Sequence, residues 1–355
     1  MGKESVAVIG SGALSISLST PSSLHLQETA ARIAGQNAME KTDLFERDVP
    51  MWVFQEQVDG KNLTDIINEK HENVKYLPGA KFPENVIANP DLLDAVKDAT
   101  LLIIVIPHQF LPKTLAQLKG KINPNARAVS LIKGVEVVGA DINIFAKVIE
   151  RELGIRCSAL SGANIANEIA LEKFSETSIG YTDRKDGEIF QKLFDRPYFR
   201  VSIVEDVEGV SLCGAMKNIV AIACGFNDGM NWGDNTKAAI MRVGLLEMKR
   251  FCQLFFPSCK DATFVEESAG VADLITTCLG GRNRKVAAAH AETGKPFEQL
   301  EQELLGGQRL QGTGTAKEIH EYLTHKGKVD DFPLFKTVYE IAFENKPAKE
   351  LTSRL

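Results

Sequence analysis

The chain is 355 residues long, enough for two domains that each bury a core. Hydrophobic residues make up 44% and charged residues 25%, the balance of a soluble globular protein, and the net charge of −6 argues against a general nucleic-acid binder, which shows a basic face. No apolar run approaches the roughly 20 residues of a membrane helix, and Lys3 and Glu4 ahead of a short strand give no sign of a secretory leader.

The first apolar run, Val6–Ile9, reads as a strand entering Gly10-Ser11-Gly12. A dinucleotide-binding fingerprint begins in this way, because glycines let backbone amides approach a pyrophosphate. The third glycine of that fingerprint is missing, since Ser15 stands in its place. Pro21 falls where the following helix should be running, and an interior proline breaks a helix, so the helix is expected to restart near Gln27–Ala30. Further strands are expected at Trp52–Phe54, Leu101–Ile106, Ala128–Ile132, Cys157–Leu160, Thr177–Tyr181 and Tyr198–Val204. Leu101–Ile106 has no polar alternation, as a strand covered on both faces should. Helical patterns separate these runs, which points to an α/β domain with a doubly wound, Rossmann-like, mostly parallel sheet over residues 1–205. From residue 206 to 355 the pattern is helical, with stretches at Val207–Gly225, Thr236–Phe256, Ser268–Leu279, Phe297–Leu305, Thr315–His325 and Leu334–Phe343. An all-helical C-terminal domain is expected there. The six cysteines form no CxxC pair, so buried free thiols in a reducing compartment are expected and no metal site.

Polar and glycine residues follow each predicted strand: Gly10-Ser11-Gly12, Phe54-Gln55-Glu56, Pro107-His108-Gln109-Phe110, Lys133-Gly134 and Ser161-Gly162-Ala163-Asn164. Open α/β sheets bind ligands at the carboxyl ends of their strands, so five such loops together mark a crevice better than any one of them. Lys217 stands in a helical stretch that is apolar on nearly every face. A buried lysine is costly unless paired or functional, and a desolvated one suits proton transfer; the plainer alternative is an amine snorkelling at a domain edge. Asn218 beside it adds a donor and an acceptor. Asp273 and Thr277, four residues apart, share a helix face. Gly280-Gly281 then stops that helix, and Arg282-Asn283 opens the next one, where free amides favour an anion and arginine matches a phosphate. A solvated basic turn is the bland alternative.

The segments MWVF, NVKYLPG, PHQFL, the IKG turn, LSGANIA, CGAMKN, ESAGVADLITTCLGGRN, LQG and DFPLF together resemble the eukaryotic, especially fungal, NAD-dependent glycerol-3-phosphate dehydrogenases, from about Arg32 to about Pro347. The resemblance implies a cytosolic homodimer that uses NAD to interconvert dihydroxyacetone phosphate and glycerol 3-phosphate, with no nucleic-acid or membrane partner. It implies that Lys217 is the acid/base, and that Lys133, Asn164, Asn218, Asp273 and Thr277 surround the substrate carbonyl and hydroxyls. Arg282 and Asn283 match the substrate-phosphate site, with Arg282 also near the cofactor. Phe54, Phe110, Ala166 and Gln311 match cofactor contacts, beside Gly10, Ser11 and Gly12 of the glycine loop. The departure from the family is the segment 13–29, where members read GSGNWG and run directly into the helix. A folded but cofactor-impaired chain is therefore the alternative reading. A 3-hydroxyacid dehydrogenase of the same architecture is a third, against which the Gly280–Asn283 phosphate turn argues. The C-terminal Ser353-Arg354-Leu355 is similar to a peroxisomal address, beside the cytosolic expectation.

Overall fold

The computed structural model describes residues 2–10, 21–139 and 141–354. Ser11 and Gly12 of the glycine loop, and residues 13–20 of the atypical segment, lie outside the described residues. By its internal contacts the chain forms two units. The first comprises Met1–Ile132, Ala146–Leu160 and Asn164–Val207, and the second Lys133–Phe145, Ser161–Ala163 and Glu208–Leu355.

Apart from a short antiparallel pair, Gln57–Val58 with Lys61–Asn62, the strands in chain order are β1 (Val6–Gly10), β2 (Val49–Trp52), β3 (Val86–Asn89), β4 (Leu101–Val105), β5 (Arg127–Ser130), the pair β6 (Val135–Val138) and β7 (Asp141–Ile144), then β8 (Cys157–Ser161), β9 (Ser175–Gly180) and β10 (Phe199–Val204). Eight of them make the sheet of the first unit, in the spatial order β10-β9-β8-β5-β4-β1-β2-β3. β1 and β4 pair in parallel from Val6 opposite Leu101 to Gly10 opposite Val105. Both are buried along their whole length, which is why their sequences carry no polar alternation. β2 lies earlier than the apolar run Trp52–Phe54 indicates. Its register is set by β3, from Val49 opposite Val86 to Trp52 opposite Asn89.

The chain runs outward from β1 through β2 to β3, then crosses back to β4 on the other side of β1. This reversal of strand order is the switch point at which such sheets bind dinucleotides. Helix α1 (Pro21–Glu40) follows β1 and begins earlier than Gln27–Ala30. Among the described residues the helix begins at Pro21, and a proline in a first turn lacks only an N–H that has no intrahelical partner anyway. Its small residues Ala30, Ala31, Ala34 and Ala38 are buried in the core shared with the sheet. A Cβ on Gly10 would fall 1.8 Å from the Gln27 carboxamide carbon, so the helix rests directly on the end of β1.

The second unit holds α2 (Val207–Gly229, its first residue at the border), α3 (Asp234–Phe255), α4 (Asp273–Leu279), α5 (Gly281–Thr293), α6 (Phe297–Leu305), α7 (Gln311–His325) and α8 (Pro333–Phe343). From residue 206 onward the described residues form helices and no strand, as expected; the antiparallel pair β6–β7, from earlier in the chain, joins this unit and packs on α7. Ser268–Leu279 is not one α-helix; a π-helical turn at Ser268–Ala272 precedes α4. Among the described residues α2 is the one helix long and apolar enough to cross a membrane, and 94% of that stretch is buried inside the protein. α8 begins where Glu247 of α3 accepts hydrogen bonds from the Leu334 N–H at 2.7 Å and the Phe335 N–H at 3.0 Å. Burial pushes the Glu247 carboxyl up to about 7, against the pull of these two donors.

Two glycines bring α5 close to α2. A Cβ on Gly225 would lie 2.4 Å from the Arg284 carbonyl oxygen and 2.6 Å from the Ala287 Cβ, and one on Gly229 would lie 2.3 Å from the Ala288 carbonyl oxygen. Gly314, in the first turns of α7, has open space around its Cβ position. The two sites should therefore respond oppositely to the same change. Gly225→Ala should destabilise the protein by about 1–3 kcal/mol, the usual cost of overpacking. Gly314→Ala should be neutral, or stabilising by up to about 1 kcal/mol. Urea unfolding of both variants checks this, and equal effects would refute the tight α2–α5 contact.

Candidate active site

Lys217 lies in the middle of α2 and is 5% exposed. Its ammonium is tolerated there because it forms an ion pair with Oδ1 of Asp273, the first residue of α4 and itself 2% exposed. The other carboxylate oxygen, Oδ2, accepts from Lys133 Nζ at 3.2 Å and from Ser161 Oγ at 3.5 Å. Thr277, one turn along α4, donates to the Asp273 carbonyl at 2.6 Å and lies 3.4 Å from Oδ1. Lys133 reaches the cluster from the turn after β5, where Gly134 holds φ at +115°. One carboxylate thus faces two ammonium groups. Burial is the largest influence on Lys217 and lowers its pKa to about 7; Asp273 pulls it up and the Lys133 charge pushes it further down.

Asn218 and Asn283 form a second group beside it. The Asn283 amide donates to Asn218 Oδ1 at 3.0 Å, and Asn283 Oδ1 accepts from the Gly312 N–H at 3.0 Å. The Asn218 amide points back along its own helix to the carbonyls of Gly214 and Ala215. These bonds tie α2, α5 and the start of α7 together. Arg282 stands in the first turn of α5, after the break at Gly281, whose φ of +87° suits glycine. It donates to Gln308 Oε1 at 2.8 Å, and burial lowers its pKa. Gln311 is the exposed first residue of α7.

The remaining predicted residues lie in the first unit, along the carboxyl edge of its sheet. Gly10 ends β1, Phe54 follows β2, and Phe110 follows β4 at the end of the 3-10 turn His108–Phe110. Asn164 and Ala166 follow β8. Asn164 donates to the Glu176 carbonyl at 3.0 Å and accepts from Thr177 Oγ1 at 3.0 Å, so β9 holds it. It therefore stands in the unit that does not contain Lys217. Gly10, Phe54 and Phe110 thus stand at the ends of β1, β2 and β4, the strands at the switch point of the strand order, whereas Asn164 and Ala166 follow β8, two strands beyond β4. The positions at the switch point fit a dinucleotide such as NAD. The sequence marks Ser161 only as part of the loop after its strand, with no role of its own, and gives Gln308 no place. Ser161 carried a usable signal, being a polar residue at the carboxyl end of a buried strand. Gln308, in a Gly-Gly-Gln-Arg loop, carried none.

Residues 5–186 match the family model for the N-terminus of NAD-dependent glycerol-3-phosphate dehydrogenase, and residues 206–353 match the model for its C-terminus. The chain is 51% identical over 332 residues to glycerol-3-phosphate dehydrogenase (NAD+) 1 of Saccharomyces cerevisiae, covering 91% of this chain and 85% of that one. It is 48% identical over 359 residues to glycerol-3-phosphate dehydrogenase (NAD+) 2 of Zygosaccharomyces rouxii, covering 99% of this chain and 89% of the other. A solved glycerol-3-phosphate dehydrogenase structure from Saccharomyces cerevisiae superposes with a TM-score of 0.93 at 48% identity over 99% of both chains. Matched in both halves and similar along nearly its whole length, the chain belongs to the NAD-dependent glycerol-3-phosphate dehydrogenase family.

Proposed function

We propose that the chain transfers a hydride reversibly between NAD and glycerol 3-phosphate, interconverting the latter with dihydroxyacetone phosphate, and that Lys217 is its acid/base. The observation that carries this reading is a buried lysine, paired with a buried carboxylate, whose pKa is lowered to about 7. Bound NAD supplies the hydride chemistry. The protein supplies a proton and a field. A ketone that accepts hydride gathers negative charge on oxygen, and the Lys217 ammonium can stabilise that charge and deliver the proton. In the reverse direction the neutral amine takes the hydroxyl proton. With a pKa near neutrality both forms of Lys217 are populated at physiological pH. Asp273 holds the amine in place through Oδ1 while Lys133 and Ser161 hold Asp273 through Oδ2.

The first turn of α5 is the site for the substrate phosphate. Its N-terminal amides and helix dipole favour an anion, and the half-buried Arg282 adds a guanidinium that can bind two phosphate oxygens. Binding energy from this remote anion orients the reacting carbon. The family resemblance also supports a homodimer as the working form.

Lys217→Met should lower turnover about 10²–10⁴-fold, the usual loss with a general acid. In the parent enzyme, ketone reduction needs the protonated amine, so kcat/KM for reduction should fall as pH rises above about 7. Alcohol oxidation needs the neutral amine and should fall as pH drops below about 7. Both limbs should be absent from the residual activity of Lys217→Met, followed by NADH absorbance. A folded variant within a few-fold of the parent would remove Lys217 from the chemistry.

Arg282→Ala should harm dihydroxyacetone phosphate far more than unphosphorylated dihydroxyacetone, because only the former loses an anion contact. Equal losses on both would count against the phosphate role. Light scattering of the purified protein should give twice the mass of one chain; a monomeric mass would reject the homodimer.

A further inference from the structure

Asp228 sits in the last turn of α2, eleven residues beyond Lys217 (228 minus 217), or about 16 Å along the helix at 1.5 Å per residue. It is therefore about three helical turns from Lys217, and the chemistry described above does not use it. Yet it is the meeting point of three helices. Its Oδ1 accepts from Lys237 Nζ of α3 at 2.6 Å and from the neighbouring Asn227 amide at 3.3 Å. Its Oδ2 accepts from Arg284 Nη1 of α5 at 2.5 Å. The Asp228, Lys237 and Arg284 side chains are 19%, 14% and 32% exposed, so solvent screens this cluster less than an ordinary surface pair. Burial works against the Asp228 charge, but the bonds from Lys237, Arg284 and Asn227 outweigh it and hold the carboxyl below its usual range.

Arg284 directly follows Arg282 and Asn283 in the first turn of α5. That turn has no helix continuous behind it, because the chain breaks at Gly280 and Gly281. Its placement comes from lateral contacts. The Arg284 carbonyl is seated against Gly225 of α2, and its guanidinium reaches down the same helix to Asp228. The guanidinium Nε is buried without a hydrogen-bond partner, so Nη1 and Asp228 carry the orientation of this side chain. Asp228 thus adds a charged tie between the helix that bears Lys217 and the turn that bears Arg282, beside the Asn283–Asn218 bond and the Gly225 contact.

We propose that Asp228 is a positioning residue for the phosphate turn: by holding Arg284 against α2 it sets where Arg282 and Asn283 stand relative to Lys217, and so it gives the enzyme part of its preference for a phosphorylated substrate. This rests on the reading of Arg282 as a phosphate ligand. The readout is the ratio of kcat/KM for dihydroxyacetone phosphate to that for dihydroxyacetone. A purely structural role would lower both values together and leave the ratio alone.

The full-length enzyme is measured as Asp228→Asn, Asp228→Glu, Arg284→Gln and Arg282→Ala. Asp228→Asn and Arg284→Gln should each lower the ratio about tenfold, mainly through a higher KM for dihydroxyacetone phosphate, with dihydroxyacetone turnover unchanged. Asp228→Glu, which keeps the charge, should restore most of the ratio. If Arg282→Ala lowers the ratio while both of the first two variants stay within twofold of the parent, the positioning role of Asp228 is overturned. If Arg282→Ala itself leaves the ratio unchanged, it is the phosphate assignment that fails. Should neither Asp228→Asn nor Arg284→Gln fold, the cluster holds the unit together rather than the turn, and the inference is overturned as well.

Discussion

A lysine ammonium in the middle of an apolar helix can persist only beside a counter-charge, and Asp273 is that counter-charge. Breaking a buried ion pair of this kind by deleting one partner typically costs about 3–5 kcal/mol, because the other charge is left stranded. The need to satisfy Asp273 in turn recruits Lys133, Ser161 and Thr277, which come from three different stretches of chain. The π-helical turn ahead of α4 and the glycine after Lys133 are best understood in this light. They are the local irregularities that let those stretches converge on one carboxylate. The same convergence leaves a surplus positive charge, since two lysines face a single aspartate. That surplus suits a reaction in which negative charge grows on a substrate oxygen.

Close backbone approach is the second organising feature. Gly225 and Gly229 let α5 lie against α2 almost without side chains between them. Gly312 does the same at the start of α7, where a Cβ would meet the Asn218 carbonyl at 2.7 Å. Helices packed at such distances transmit small displacements instead of absorbing them, since interiors are close-packed. The positions of Lys217, Asn218, Asn283 and Arg282 are consequently consequences of one packing arrangement rather than four independent placements.

Much of this could be read from the chain before any coordinates. Uninterrupted apolar runs marked β1 and β4 because strands buried on both faces need no polar residue. Lys217 stood out because its helix offered no polar face on which to place it. The Gly-Gly-Arg-Asn turn was visible because helix stops and helix starts have distinct residue preferences. Other features left little trace. β3 is four residues long with mixed burial, and the β6–β7 pair is partly exposed, so neither produces a period strong enough to see. Pro21 was ambiguous in principle, since proline breaks a helix from inside but starts one from its first position. The grouping of Asn218 with Asn283, and of Asp228 with Arg284, depends on which faces of α2 and α5 meet. Sequence spacing along either helix does not contain that information.

The second unit is not a continuous length of chain. Residues 133–145 and 161–163 reach it from within the stretch that builds the sheet, and they bring Lys133, Ser161 and the β6–β7 pair with them. A fragment beginning at Glu208 would carry Lys217 and Asp273 but would leave the far oxygen of that aspartate without its lysine and serine. No single cut separates the two units with each intact. During synthesis, Lys133 and Ser161 must wait for α4 to emerge before they find Asp273. The Asp273 carboxylate can therefore be completed only after the chain has been made through α4, well beyond the stretches that supply Lys133 and Ser161.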